Sequence, residues 1–269
     1  MNNIFDLLKI DFKKLRSYRT FWVLNGFHFI VLGLGAISGM EFLKWLKRQG
    51  ASFDGWDPLR IPLYHFPDIW QNMTWASSSL KFVLAIVVVV SVTNEFTYRT
   101  IRQNVIDGLS RAEFVLSKLA MNFVLALCSA VFVGLLGLIM GFIYSPMFTT
   151  ADVLNGVQFI AAYFLDVFTF LSFALMISVL VQRSGLAIAV VLLAKTLESI
   201  VILNLPEQIA FMETYFPMNA MSNLIKAPFQ RYIFREIQDY VGLIDVAIAT
   251  AWLGIFNYVS FYKIKKADL

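Results

Sequence analysis

Six runs of mostly apolar residues, each about as long as a helix needs to cross hydrocarbon, constrain this chain more than any other feature. A bilayer core of about 30 Å takes roughly 20 helical residues at 1.5 Å each. The runs are residues 20–38, 75–92, 119–144, 157–181, 185–205 and 242–262. Asn25 and His28 interrupt the first, and His28 reads as a histidine satisfied inside a bundle rather than a ligand. Hydrophobic residues make up 59% and charged residues 15%, against roughly 45–50% and 25% in soluble domains. A soluble globule is excluded.

The 22 Lys and Arg sort by side of the membrane. Lys9, Lys13, Lys14, Arg16, Arg19, Arg99, Arg102, Arg111, Lys118, Arg183, Lys263, Lys265 and Lys266 flank one set of span ends, thirteen in all. Seven (Lys44, Lys47, Arg48, Arg60, Lys226, Arg231 and Arg235) flank the other, and Lys81 and Lys195 fall within spans. The excess places both termini in the cytoplasm. The net charge of +4 thus reflects topology and does not point to nucleic acid. The basic start, without a small-residue cleavage site, reads as a retained signal anchor.

Residues 3–17 carry Phe5, Leu8, Phe12 and Leu15 at helical spacing, with Lys9, Lys13, Lys14 and Arg16 elsewhere. That pattern predicts an amphipathic helix lying in the interface, or a basic lead that only sets orientation. Residues 39–74 read as a long outer loop, helical at 41–48 and then broken by Pro58, Pro62 and Pro67. Its aromatics Trp45, Trp56, Tyr64, Phe66 and Trp70 suit either the headgroup region or a small cap. Residues 206–241, a second outer loop, are too apolar for a free loop, with Phe211, Tyr215, Phe216, Met218 and Met221. No linker or internal repeat divides the chain, so residues 1–269 read as one membrane domain.

Residues 94–118, between the second and third runs, carry the densest local signals. Thr100-x-x-Gln103 is a capping-box pattern, Gly108 can end a short helix in the left-handed region, and Ser110-x-x-Glu113 opens the next helix. A rigid helix here suits docking to a soluble partner. A polar loop that happens to contain helix-start residues has the same pattern.

This segment resembles the cytoplasmic coupling region of ABC-2 type ABC transporter permeases. In that family an acid leaves the second span, Thr and an aliphatic residue follow, and Ser-Arg precedes a Lys that enters the third. The corresponding residues are Glu95, Thr100-Ile101, Ser110-Arg111 and Lys118, with Arg102, Val105 and Gly108 between them. Arg99 stands where the family usually has Gly, and Gly108 where it usually has Pro. The resemblance implies an all-α permease fold of the ABC-2, type V exporter-like kind: six transmembrane helices preceded by an interfacial helix. It also implies short helices at 206–241 that dip into the outer leaflet. The expected protein is a permease subunit in the bacterial cytoplasmic membrane, paired with a second permease subunit and with ABC ATPase subunits. Export of a lipid-like, amphipathic or peptide cargo would follow.

The chain has no Gly-x-x-x-x-Gly-Lys-Ser/Thr loop, so ATP and Mg²⁺ would sit on the partner ATPase, and no cofactor is expected here. The chain is expected not to be an enzyme itself. Cys128 is the single cysteine, and His28 and His65 are the only histidines, which gives no metal-site pattern. No serine is paired with a base at helical spacing, which disfavours an intramembrane hydrolase. Asp166, Lys195 and Glu198 are charges deep in the fourth and fifth spans, and Lys81 is read as snorkelling outward. The short Gln182-Arg183-Ser184 connection makes those spans antiparallel neighbours, so Lys195 is expected to lock both acids. The rival reading uses the same three residues for ion coupling in a secondary transporter or channel, and a third makes the chain a membrane anchor of a larger machine. Gly35-x-x-x-Gly39 and Gly137-x-x-x-Gly141 would permit close helix contacts.

Overall fold

Every regular element among the described residues is a helix, as the apolar runs require. The structure is a computed structural model that describes residues 3–50, 62–106, 108–228 and 238–266. In order come α1 (Ile4–Leu15), α2 (Arg19–Arg48), α3 (Ile69–Ser78), α4 (Lys81–Thr97), α5 (Thr100–Ile106) and α6 (Arg111–Tyr144). Then follow α7 (Thr150–Leu154), α8 (Gln158–Val181), α9 (Ser184–Leu203), a 3-10 helix (Glu207–Tyr215), α10 (Pro217–Asn223) and α11 (Leu243–Lys266). Among the described residues five helical stretches are long and apolar enough to cross a membrane, or six if α3 and α4, bent by 41° at their junction, count as one span. This is an all-α, multi-pass membrane protein.

The bundle is built around α8, which packs on α3, α4, α6, α9 and α11. It is apolar on all sides and buries Tyr163, Val167, Phe170, Leu171 and Leu175, as expected of a central helix. Helix α9 keeps Leu193, Leu197, Ile200 and Val201 on its outer surface, where hydrocarbon would meet them. Gln182 ends α8 in the left-handed region (φ 57°), with its amide on the Ser178 carbonyl at 2.9 Å. The chain thereby reverses within two residues, and α9 packs back on α8 as the short connection predicts.

Three expectations need correction. The first span does not stop at residue 38. Nothing there breaks the helix, and α2 continues to Arg48 with Lys44 on Glu41 at 2.7 Å. The second apolar run is not one straight helix: a separate helix, α3, precedes α4 at a 41° bend. The apolar stripe of α1 is divided as well. Leu7, Asp11 and Leu15 are buried against the protein, while Phe5 and Phe12 remain exposed with Lys9 and Lys13. The expected short helices at 206–241 correspond to the 3-10 helix and α10, which starts with Pro217 at its first turn. Trp56, Pro58, Arg60, Arg231 and Arg235 lie outside the described residues.

Aromatic rings from α3 and the segment before it cover three of the paired glycines: Tyr64 lies over Gly39, Trp70 of α3 over Gly137 and Phe66 over Gly141, while Gly35 has no such neighbour.

Candidate docking region

The chain between α4 and α6 is fixed from below by a buried set of charges. Lys118, on the second turn of α6, donates through Nζ to Glu95 Oε1 at 2.7 Å and to Asp11 Oδ1 on α1. Glu95 Oε2, near the end of α4, accepts from Thr100 Oγ1 at 3.0 Å and Asn104 Nδ2 at 3.1 Å, both on α5. Lys14 closes the set, with its ammonium 2.9 Å from Asn104 Oδ1 and 3.5 Å from Glu95 Oε2. Asp11, Glu95 and Lys118 are all buried, so this network is shielded from water and from salt. It joins α1, α4, α5 and α6 at one end of the bundle.

Local chemistry explains why α5 is short and where it points. Arg99 takes the left-handed conformation (φ 54°), which turns the chain sharply after α4. That is the position where the coupling region of the resembling permeases usually has Gly, the residue that meets this conformation without steric cost. Thr100 is tied to the end of α4. Its hydroxyl donates to the Glu95 carboxylate because the acid lies under the first turn and is the stronger acceptor. Ile101 is buried and anchors the helix. Gly108, at φ 96°, turns the chain after α5, and the Leu109 amide donates to the Asn104 carbonyl at 2.9 Å. The second capping box is present: the Glu113 amide donates to Ser110 Oγ at 3.2 Å and Glu113 accepts from the Ser110 amide at 2.9 Å.

Arg111 faces the protein. Its Nη1 donates to the Lys265 carbonyl at 2.8 Å, placing a cation against the C-terminal end of α11. Tyr98, Arg99, Arg102 and Ile106 are exposed on the outward side of this region. The side chain of Val105 lies outside the described ones.

The deep charges are not one cluster. Asp166 pairs with Lys81 at 2.5 Å, and Lys81 also sits 5.1 Å from the centre of the Phe170 ring. Lys81 does not snorkel, because the bend after α3 puts it at the first residue of α4, facing α8. Glu198 accepts the Met218 and Asn219 amides at 2.7 Å each, at the start of α10. Those two donors satisfy the carboxylate, with Lys195 near enough to attract it but not in an ion pair with it. Lys195 donates to Asn219 Oδ1, with Ser222 Oγ at 3.5 Å. The expected lock of Lys195 on Asp166 and Glu198 is therefore replaced by two separate ties, α4 to α8 and α9 to α10.

Residues 62–269 match the family described as protein of unknown function (DUF2705). The chain belongs to the DUF2705 family. The DUF2705 match covers Glu95, the whole of α5 and Lys118, while α1 and α2, with Asp11 and Lys14, precede it. No curated protein matches the chain.

Sequence reasoning missed Asp11, Lys14, Asn104 and the pairing of Lys81. Asp11 stands four residues from both Leu7 and Leu15, so an acid on that otherwise apolar line was the available signal of a buried partner. His28 is buried in the bundle as expected, but only one ring nitrogen finds a partner among the described residues, through a chain not foreseen, and Nδ1 has none. Its Nε2 lies 2.9 Å from Ser129 Oγ, which lies 2.9 Å from the Tyr163 hydroxyl. This does pair a serine with a base, but all three residues are fully buried, which leaves a substrate no access.

Proposed function

We propose that this DUF2705 member is the membrane-spanning permease subunit of an ABC-2 type transporter, driven by ATPase subunits that dock on α5. The observation that carries the reading is the Asp11–Lys118–Glu95 network. It fastens a two-turn helix rigidly to three others while the outward side chains Tyr98, Arg102 and Ile106 remain exposed. A helix fixed in this way moves with the bundle when pushed, whereas a loose loop would absorb the motion. A buried ion network is an expensive way to hold a surface loop, since each ion loses several kcal/mol of hydration, of order, before pairing returns it. Force transmission gives that rigidity a use.

In this reading Glu95, Thr100, Lys118 and Arg111 position α5 and do not themselves meet the partner. Ile101 seats the helix, and Arg102 with Ile106 makes the contact. The cytoplasm lies on the side of α1 and α5, and a second permease subunit completes the path for a lipid-like, amphipathic or peptide cargo that is exported. Each deep charge already has a polar partner, which favours this reading over ion coupling.

The test is purification of the intact protein from its native membrane in mild detergent, followed by sequencing of what accompanies it. The expected result is an ATPase carrying the Gly-x-x-x-x-Gly-Lys-Ser/Thr motif, whose hydrolysis rate changes when the membrane chain is present. Purification as a self-contained homo-oligomer that moves ions without nucleotide would support the rival instead.

A further inference from the structure

At the end of the bundle that carries the charged network, the corner where α1 passes into α2 rests beside α4 and leaves an open crevice. Leu15, Phe21, Leu24 and Val87 form its apolar part, and Tyr18, Thr20, Ser91 and Asn94 line it with polar groups. On α4, Val87, Ser91, Asn94 and Tyr98 follow one another at helical spacing, so the crevice becomes more polar toward the end of that helix. Ser91 and Asn94 are half-buried, and neither they nor Thr20 make a side-chain hydrogen bond among the described residues. Hydrocarbon offers such groups no partner, so they gain from a ligand that brings oxygens or hydroxyls.

The corner also carries unanswered charge. Arg16 and Arg19 are both exposed, and neither is in an ion pair among the described residues. The nearby acids are already used, since Asp11 and Glu95 are buried and paired within the Lys118 and Lys14 network. Trp22 Nε1 donates to the Arg16 carbonyl at 3.0 Å, and Tyr18 and Tyr98 are exposed as well. Aromatic side chains with one polar end favour the headgroup level of a bilayer, which puts the two guanidinium groups where lipid phosphates lie.

We infer that this crevice binds an anionic phospholipid, with its phosphate on Arg16 and Arg19, its glycerol oxygens at Thr20, Ser91 and Asn94, and one acyl chain along Leu24 and Val87. Guanidinium groups suit a phosphate because their planar N–H forks match its oxygens, and basic crevices between membrane helices serve as headgroup sites. Leu15 and Asn94 adjoin Lys14 and Glu95 in the chain, so a lipid seated here ties the α1–α2 corner to α4 beside the network. The inference goes beyond the permease reading and needs no ATPase, so the two fail separately.

The experiment uses the full chain, stripped of native lipid by detergent exchange and titrated with dioleoylphosphatidylglycerol. Native mass spectrometry counts the bound lipid, and thermal unfolding is followed in parallel. The expected result is a retained lipid and a higher unfolding temperature, which neither dioleoylphosphatidylcholine nor inorganic phosphate reproduces. Arg16→Gln with Arg19→Gln should weaken phosphatidylglycerol binding by about tenfold or more. Lys263→Gln with Lys265→Gln removes as much exposed charge from the same end and should leave binding unchanged. Ser91→Leu, which fills the crevice without touching a charge, should also remove the lipid.

Equal retention of the zwitterionic lipid, or an equal rise with phosphate alone, would overturn the inference. So would an equal loss in the paired lysine variant, which would mean diffuse attraction to a basic surface, and so would a folded Ser91→Leu protein that keeps its lipid. If Ser91→Leu does not fold, Thr20→Trp narrows the crevice from its exposed side and carries the same test with the same outcomes.

Discussion

Lys118 Nζ lies 2.7 Å from Glu95 Oε1, inside the protein and away from water, and the same ammonium holds Asp11 of the N-terminal helix. One cation thereby joins α1, the end of α4 and the start of α6. Glu95 in turn accepts from two side chains of α5, so the short helix hangs on this pair.

Lys118→Met should therefore be among the most damaging single changes in the chain. It leaves Asp11 buried without a cation and Glu95 with only Lys14 at 3.5 Å, and breaking such a buried pair costs roughly 3–5 kcal/mol. Thermal unfolding in detergent should show a large loss for Lys118→Met, a partial recovery on adding Asp11→Asn, and little change for Lys9→Met. Lys9 is exposed and only 3.9 Å from the exposed Asp6, so its pair contributes little.

The separation of the deep charges makes a contrasting prediction. Lys81→Met should lower stability in detergent and be partly rescued by Asp166→Asn, because Asp166 is buried with Lys81 as its cation. Lys195→Met should lose much less, since Glu198 keeps both backbone donors without it. Equal losses for the two lysine variants would show that Lys195 serves both acids after all.

Arg99 holds a left-handed conformation at the base of α5. Arg99→Gly should be more stable than Arg99→Ala by about 1 kcal/mol, because only glycine adopts that φ without a Cβ clash. Chemical denaturation of the two variants measures the difference directly. A more stable alanine variant would mean that the turn is not strained.

The helical spans, the tight α8–α9 reversal and the Ser110–Glu113 cap were legible in the sequence because each depends on local periodicity or spacing. What the sequence did not reveal depends on which helix faces which. Asp11 carries no local mark of burial, and only the packing of Leu7 and Leu15 on the protein turns it inward. Lys81 looked free to snorkel because the bend after Ser78 depends on tertiary packing of α3 and not on a proline or glycine. Of the paired glycines Gly39, Gly137 and Gly141 are closely approached and Gly35 is not, a difference that spacing alone does not reveal. Between α4 and α6, Glu95, Thr100 and Lys118 meet in one buried network, an inward arrangement that spacing alone did not indicate.

The most direct test of the docking account is the Arg102→Glu, Ile106→Ser variant assayed with the ATPase that co-purifies with the unaltered chain. Both side chains are exposed, and surface changes away from buried features are usually within about 0.5 kcal/mol, so the fold should survive. The account predicts an unchanged unfolding temperature, loss of ATPase co-purification, and hydrolysis that no longer responds to the membrane chain. An intact complex with unaltered, chain-dependent hydrolysis would contradict it.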